Sequence, residues 1–93
     1  MQKSIHSADY DHLLVELRAL RLERKLSQEE LGERVGEKQS FVSKVERGVR
    51  RLDVIELRDW TRSLGLSLGE FVVRLEDRLE RHAPAVSPQR RRR

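Results

Sequence analysis

LSQEELGERVGEKQSFVSKVERG, residues 26–48, decides the fold of this chain. Ser27 and Glu30 stand at S-x-x-E spacing, in which each side chain satisfies a free backbone N–H at the start of a helix. Leu31 and Val35 lie one turn apart and form that helix's inner face. Gly36 is suited to the left-handed conformation that closes a helix. Near Gln39 a second helix begins, with Val42 and Val45 spaced to face inward, and Gly48 ends it. Two short helices joined by a tight glycine turn form a helix-turn-helix.

The same reading extends in both directions. Upstream, Leu13, Leu17 and Leu20, with Leu14 beside them, fall at helical spacing over about Asp9 to Arg24. Asp9 and Asp11 sit at the positive end of that helix dipole. Downstream, Asp53 is a suitable N-cap for a fourth helix, with Val54, Leu57, Trp60 or Thr61, and Leu64 facing in and Gly65 stopping it. Ser67 and Glu70 repeat the capping spacing, and a fifth helix carries Leu68, Phe71, Val72, Leu75 and Leu79 to about His82. Trp60 and Phe71 are expected in the core. No stretch alternates as a strand does. The expected organisation is a flexible N-terminus over 1–8, one domain over 9–82, and a disordered basic tail over 83–93 bracketed by Pro84 and Pro88.

A chain of 93 residues has room for one small domain. The absence of cysteine excludes disulfides, and the short apolar runs and the polar N-terminus predict a soluble, cytoplasmic protein with no membrane partner. The net charge of +4 equals the terminal run Arg90–Arg93, so the rest is balanced overall and its positive charge is local. Lys38, Lys44, Arg47, Arg50 and Arg51 face one nearby acid, Glu46, whereas Glu70, Glu76, Asp77 and Glu80 outnumber Arg74 and Arg78. Such an asymmetry suits docking on a polyanion in one orientation. His6, His12 and His82 are too scattered for a metal site, and no phosphate loop or nucleophile motif is present, so neither metal nor cofactor nor enzymatic activity is expected. The terminal arginines either add sequence-independent DNA affinity or are simply solvated.

The third helix carries the chemistry. The major groove of DNA admits one helix, which reads bases mainly through its N-terminal residues. Gln39 offers an amide able to pair bidentately with adenine, Ser40 can meet several base edges, and Lys44 can reach a guanine or a phosphate. Ser43 lies near the same face. Phe41 could touch a thymine methyl or serve in packing.

The segments L-S-Q-E-E-L (26–31), Gly36, Q-S-F-V-S-K-V-E-R-G (39–48) and R-S-L-G-L-S-L (62–68) together resemble the small prokaryotic regulators typified by phage Cro and C1 repressors, the Xre-like family. The resemblance runs from about Tyr10 to Leu75. It implies an all-α, compact five-helix fold of the lambda-repressor type, with helices two and three as the helix-turn-helix. It implies that Gln28 clamps a phosphate, that Gln39, Ser40 and Lys44 read bases, and that Ser43 faces the groove. Arg47, Arg50 and Arg51 match the region that meets the DNA backbone, with Lys38 in the same basic patch. It also resolves an anomaly. Glu46, an acid beside expected phosphates, matches a position that pairs inward with an arginine of the first helix, here Arg21.

The function expected is sequence-specific binding of double-stranded DNA in transcriptional regulation, most simply repression. A single helix-turn-helix contacts few bases, so a homodimer on a two-fold symmetric operator is expected. Val72, Val73, Leu75 and Leu79 are the expected dimer face, the alternative being that this stripe folds back on the first helix. A second function also fits the family: an antitoxin bound to its toxin, or an adaptor to the transcription machinery.

Overall fold

Four of the five helices begin at a side chain that accepts a backbone N–H from the first turn. A computed structural model describes residues 7–83 as α1 (Ala8–Glu23), α2 (Gln28–Val35), α3 (Gln39–Glu46), α4 (Val54–Ser63) and α5 (Leu68–Arg81), with no strand among these residues. Of the segments expected to be a flexible N-terminus (1–8) and a disordered basic tail (83–93), residues 1–6 and 84–93 lie outside the described residues, while Ser7 and Ala8 begin α1 as its N-cap and first residue. Ser7 caps α1 by accepting from the Tyr10 N–H at 3.0 Å. Ser27–Glu30, Asp53–Glu56 and Ser67–Glu70 are reciprocal capping boxes. In the first of these, the Ser27 backbone N–H, with its hydroxyl, holds the Glu30 carboxyl below the ordinary glutamate range. The exception is α3, whose N-cap, Lys38, offers no side-chain hydrogen bond.

The caps set where helices start, and the apolar stripes set how they pack. Leu17 and Leu20 of α1, Leu26, Leu31 of α2, Val42 and Val45 of α3, Trp60 and Leu64 of α4, and Phe71 of α5 form one buried cluster. Burying each large side chain contributes about 1.5–3 kcal/mol. α2 packs on α3, α1 lies against α3 and α5, and α4 lies against α2 and α5. No helix among the described residues is long and apolar enough to cross a membrane.

Two features of α4 and α5 differ from the spacing argument. Val54 is 61% exposed and does not face inward, while Trp60 and Thr61 are both buried. The inward face is therefore centred on Leu57, Trp60, Thr61 and Leu64, and the first turn of α4 extends past the core. The Thr61 hydroxyl remains satisfied by donating to the Arg58 carbonyl at 3.1 Å. On α5, Phe71 is buried and Leu75 packs against the core, whereas Val72 and Val73 are exposed.

An ionic clamp that the spacing did not announce joins α5 to α1. Glu16 is buried on α1 and accepts from Arg74 and Arg78, each at 3.3 Å. Arg74 also reaches Glu23 at 3.4 Å, and Arg78 donates to His12 Nδ1 at 3.0 Å. The His12 and His82 rings stand 4.6 Å apart, centroid to centroid. No group of three or more metal-ligating side chains occurs among the described residues.

The α2–α3 turn depends on two glycines. Gly36 takes φ 78°, the left-handed region that closes α2. Gly32 permits contact: a Cβ there would lie 2.7 Å from the Glu37 carbonyl oxygen, a backbone atom that cannot swing away. Replacement of Gly32 by Ala should therefore destabilise the protein, although alanine is the better helix former by about 1 kcal/mol. The clash should outweigh that gain and leave a net loss of about 1–2 kcal/mol, read as a lower denaturation midpoint at unchanged m-value.

Candidate nucleic-acid interface

Glu46 occupies the last turn of α3, where the helix dipole disfavours an acid. It is held there by Arg21 of α1. Arg21 Nε donates to Glu46 Oε2 at 2.6 Å and Nη2 to Oε1 at 3.0 Å, a bidentate pair. The two side chains are only 8% and 5% exposed. The remaining guanidinium nitrogen, Nη1, donates to the Leu26 carbonyl at 2.8 Å, so Arg21 also fixes the link between α1 and α2.

A chain of amides continues outward from this pair. Gln28, the first residue of α2, donates from Nε2 to Glu46 Oε1 at 3.0 Å and accepts at Oε1 from Gln39 Nε2 at 2.6 Å. The buried ion pair is thus hydrogen-bonded, through one glutamine, to the first side chain of α3. With three hydrogen bonds made inside the protein, the Glu46 carboxylate is turned away from solvent, and its charge is offset by Arg21.

The outer face of α3 is polar and cationic. Gln39, Ser40, Lys44 and Arg47 are exposed, and Ser43 is half-buried, accepting from Arg47 Nε at 3.2 Å. These residues follow helical spacing on one face, opposite the buried Val42 and Val45. Lys38 is exposed just before them. Phe41 belongs to the packing side: its ring stands 6.1 Å from that of Trp60 and leans on the core.

Beyond α3, Gly48 at φ 80° turns the chain, and the Val49 and Arg50 N–H groups both donate to the Lys44 carbonyl, at 2.9 and 3.1 Å. The connector is therefore tied to the helix it leaves. Arg50 lies over the Phe41 ring at 5.0 Å and pairs with Glu56 of α4 through Nη1 at 3.1 Å and Nη2 at 2.7 Å. Hydrogen bonding to Glu56 raises the Arg50 pKa further, and the same contact, with the Asp53 N–H, lowers that of Glu56. The Arg51 guanidinium sits 4.0 Å from the centroid of the Tyr10 ring. The sequence offered no sign of the Arg50–Glu56 pair beyond the acid's place in a D-x-x-E spacing, nor of the Gln28–Gln39 contact.

The geometry is that of two helices crossing at a glycine turn, with a polar, cationic face on the second. A sequence model described as helix-turn-helix matches residues 17–71, more than half of the chain. The chain belongs to the helix-turn-helix family of the XRE, Cro and C1 type. An XRE-family like protein from Pseudomonas syringae pv. tomato str. DC3000 is 43% identical, with a TM-score of 0.73 over 81% of this chain and 92% of its own. A mutant of the restriction-modification controller protein C.Esp1396I is 25% identical, with a TM-score of 0.75 over 83% of this chain and 98% of its own. The clp gene regulator ClgR from Corynebacterium glutamicum, at 21% identity, shares the fold with a TM-score of 0.71 over 83% of this chain and 82% of its own. No curated protein matches the chain by sequence. Membership makes this helix-turn-helix protein a DNA-binding transcriptional regulator, in a family that is not an enzyme class.

Removing one partner of a buried pair leaves the other charge unsatisfied, at a cost of about 3–5 kcal/mol. Arg21→Ala should therefore lower the melting temperature clearly more than Arg18→Ala, since Arg18 is exposed on the same helix. Equal melting temperatures for the two variants would show that the pair does not hold α3.

Proposed function

We propose that this protein recognises a specific double-stranded DNA site by inserting α3 into the major groove and that it acts as a repressor. One observation carries the reading: the polar face of α3 is solvent-exposed while its root is tied to α1 through Arg21 and Glu46. A base-reading helix must be rigid and must keep its reading face free, and this arrangement supports both requirements.

In this reading residues 9–82 act as one DNA-binding unit. Gln39, Ser40 and Lys44 meet base edges, and Ser43 faces the groove beside them. Gln28 contacts a phosphate from the start of α2, where free N–H groups and the helix dipole favour anions. Its hydrogen bond to Gln39 joins a backbone contact to a base contact, so that register and readout are set together. Lys38, Arg47, Arg50 and Arg51 line the backbone on either side.

Homodimerisation is the second part of the proposal. The exposed Val72 and Val73, with the partly buried Leu75 and Leu79 beside them, support an α5 face for a second copy and a two-fold symmetric operator. The same apolar residues would serve a protein partner, such as a toxin or a component of the transcription machinery.

Selection of bound sequences from random duplex DNA tests the whole reading. An enriched, two-fold symmetric site supports the regulator, and binding without enrichment supports the protein-partner alternative. Within an enriched site, Gln39→Ala should cost about 1–3 kcal/mol and relax preference at one base position. Arg47→Ala should weaken all sequences alike and reduce the slope of log K against log salt by about one. Sedimentation should give the mass of two chains at tens of micromolar, and Val73→Glu should shift it toward one.

A further inference from the structure

Arg50 is expected at the DNA backbone, yet an acid of its own chain already holds it. The two Arg50–Glu56 bonds, at 3.1 and 2.7 Å, form the forked contact that a guanidinium also makes with phosphate. The connector geometry places this fork just after α3, because the Val49 and Arg50 N–H groups are tied to the Lys44 carbonyl. The Phe41 ring beneath the guanidinium narrows the directions in which it can leave.

Glu56 does not need Arg50 to stay in place. Its Oε1 also accepts from the Asp53 N–H at 2.9 Å, closing the capping box of α4. Among the described residues, the boxes at Glu30 and Glu70 close in the same form through Ser27 and Ser67 with no arginine in the box. Both members of the pair are substantially exposed, at 42% and 36% of the side chain, so Arg50 can exchange partners without desolvating a charge. When it leaves, the carboxylate remains fixed at the helix start, facing the space the guanidinium vacated.

We propose that Glu56 is a specificity-determining residue: its carboxylate occupies the Arg50 guanidinium in place of a DNA phosphate and so disfavours loosely docked duplex more than a fully seated site. The inference rests on the DNA-binding reading above. On a fully seated site a phosphate reaches Arg50 and replaces one forked anion by another, a nearly even exchange. On non-specific DNA the phosphate falls short, Arg50 stays with Glu56, and one counterion-releasing contact is lost. The opposed pKa directions of Arg50 and Glu56 agree with a pair whose charged forms stabilise each other.

Glu56→Gln isolates the effect, because glutamine also serves in a capping box. Binding of random-sequence duplex and of the selected site should be titrated at several salt concentrations for the wild type, Glu56→Gln, Arg50→Gln and the double variant. The expected result is that Glu56→Gln binds random duplex about fivefold tighter at low salt, with a log K–log salt slope steeper by about one. The selected site should gain less, so the ratio of specific to non-specific affinity falls. In the Arg50→Gln background the substitution should have no such effect. Equal tightening with and without Arg50 would reduce Glu56 to a simple repulsive charge and overturn the inference. An unchanged affinity and slope, at an unchanged melting temperature, would overturn it as well. A wild-type chain that binds neither duplex overturns the DNA-binding reading itself, which separates the two failures.

Discussion

The Arg21–Glu46 pair is the contact on which the placement of α3 depends. Burying two charges is costly and is compensated only when geometry and hydrogen bonding are nearly complete. Here the guanidinium makes both bonds to the carboxylate and a third to the Leu26 carbonyl, and the carboxylate takes a further bond from Gln28. Three helices thus meet at one pair: α1 through Arg21, α2 through Gln28 and α3 through Glu46. Apolar packing at Val42 and Val45 can hold α3 against the domain, but packing alone tolerates small rotations. A directional, forked bond at the helix end does not, and Gln39 at the opposite end is linked to the same network through Gln28. Stability and the orientation of the polar face are therefore coupled through the same atoms.

At the other side of α1, Glu16, Arg74 and Arg78 do similar work for α5. This changes the meaning of the charge asymmetry along the chain. Arg74 and Arg78 are spent on Glu16, Glu23 and His12, so Glu76 and the Asp77–Arg81 pair are left to the outer surface of α5 beside Val72 and Val73. The cationic residues of α3 and the exposed acidic and apolar residues of α5 therefore belong to different helices, each presenting its own chemistry.

Much of the fold was legible because it is written in local signals. A capping box spans four residues, an inner helical face repeats every three or four, and Gly36 closes α2 within a single residue. The Glu46–Arg21 pair was legible only through resemblance, since no spacing rule joins residues 25 apart. Gly32 gave no signal because its role lies in a missing atom, the Cβ that would meet the Glu37 carbonyl. Val54 was misplaced because helical spacing continues past the edge of the core it packs on. Phe41 stayed ambiguous until the ring of Trp60, 19 positions along the chain, stood beside it. The partner of Arg50 was hidden because Glu56 already had a sufficient local reason to be present, its place in the α4 cap.

By itself the sequence determined the five helices, their caps and the glycine turn, because each depends on side chains within about one helical turn of one another. It also determined which residues of α3 are polar and which apolar, and hence which face could be presented. Only the tertiary structure decided which charges meet. Gln28 reaches Gln39 and Glu46, Arg50 turns to Glu56 and not outward, and Glu16 is buried between two arginines of a helix far along the chain. These choices depend on interhelical angles and distances, which are set by the packing of the whole core. A difference of a few ångströms there decides whether a charged side chain faces solvent, a neighbour or a phosphate.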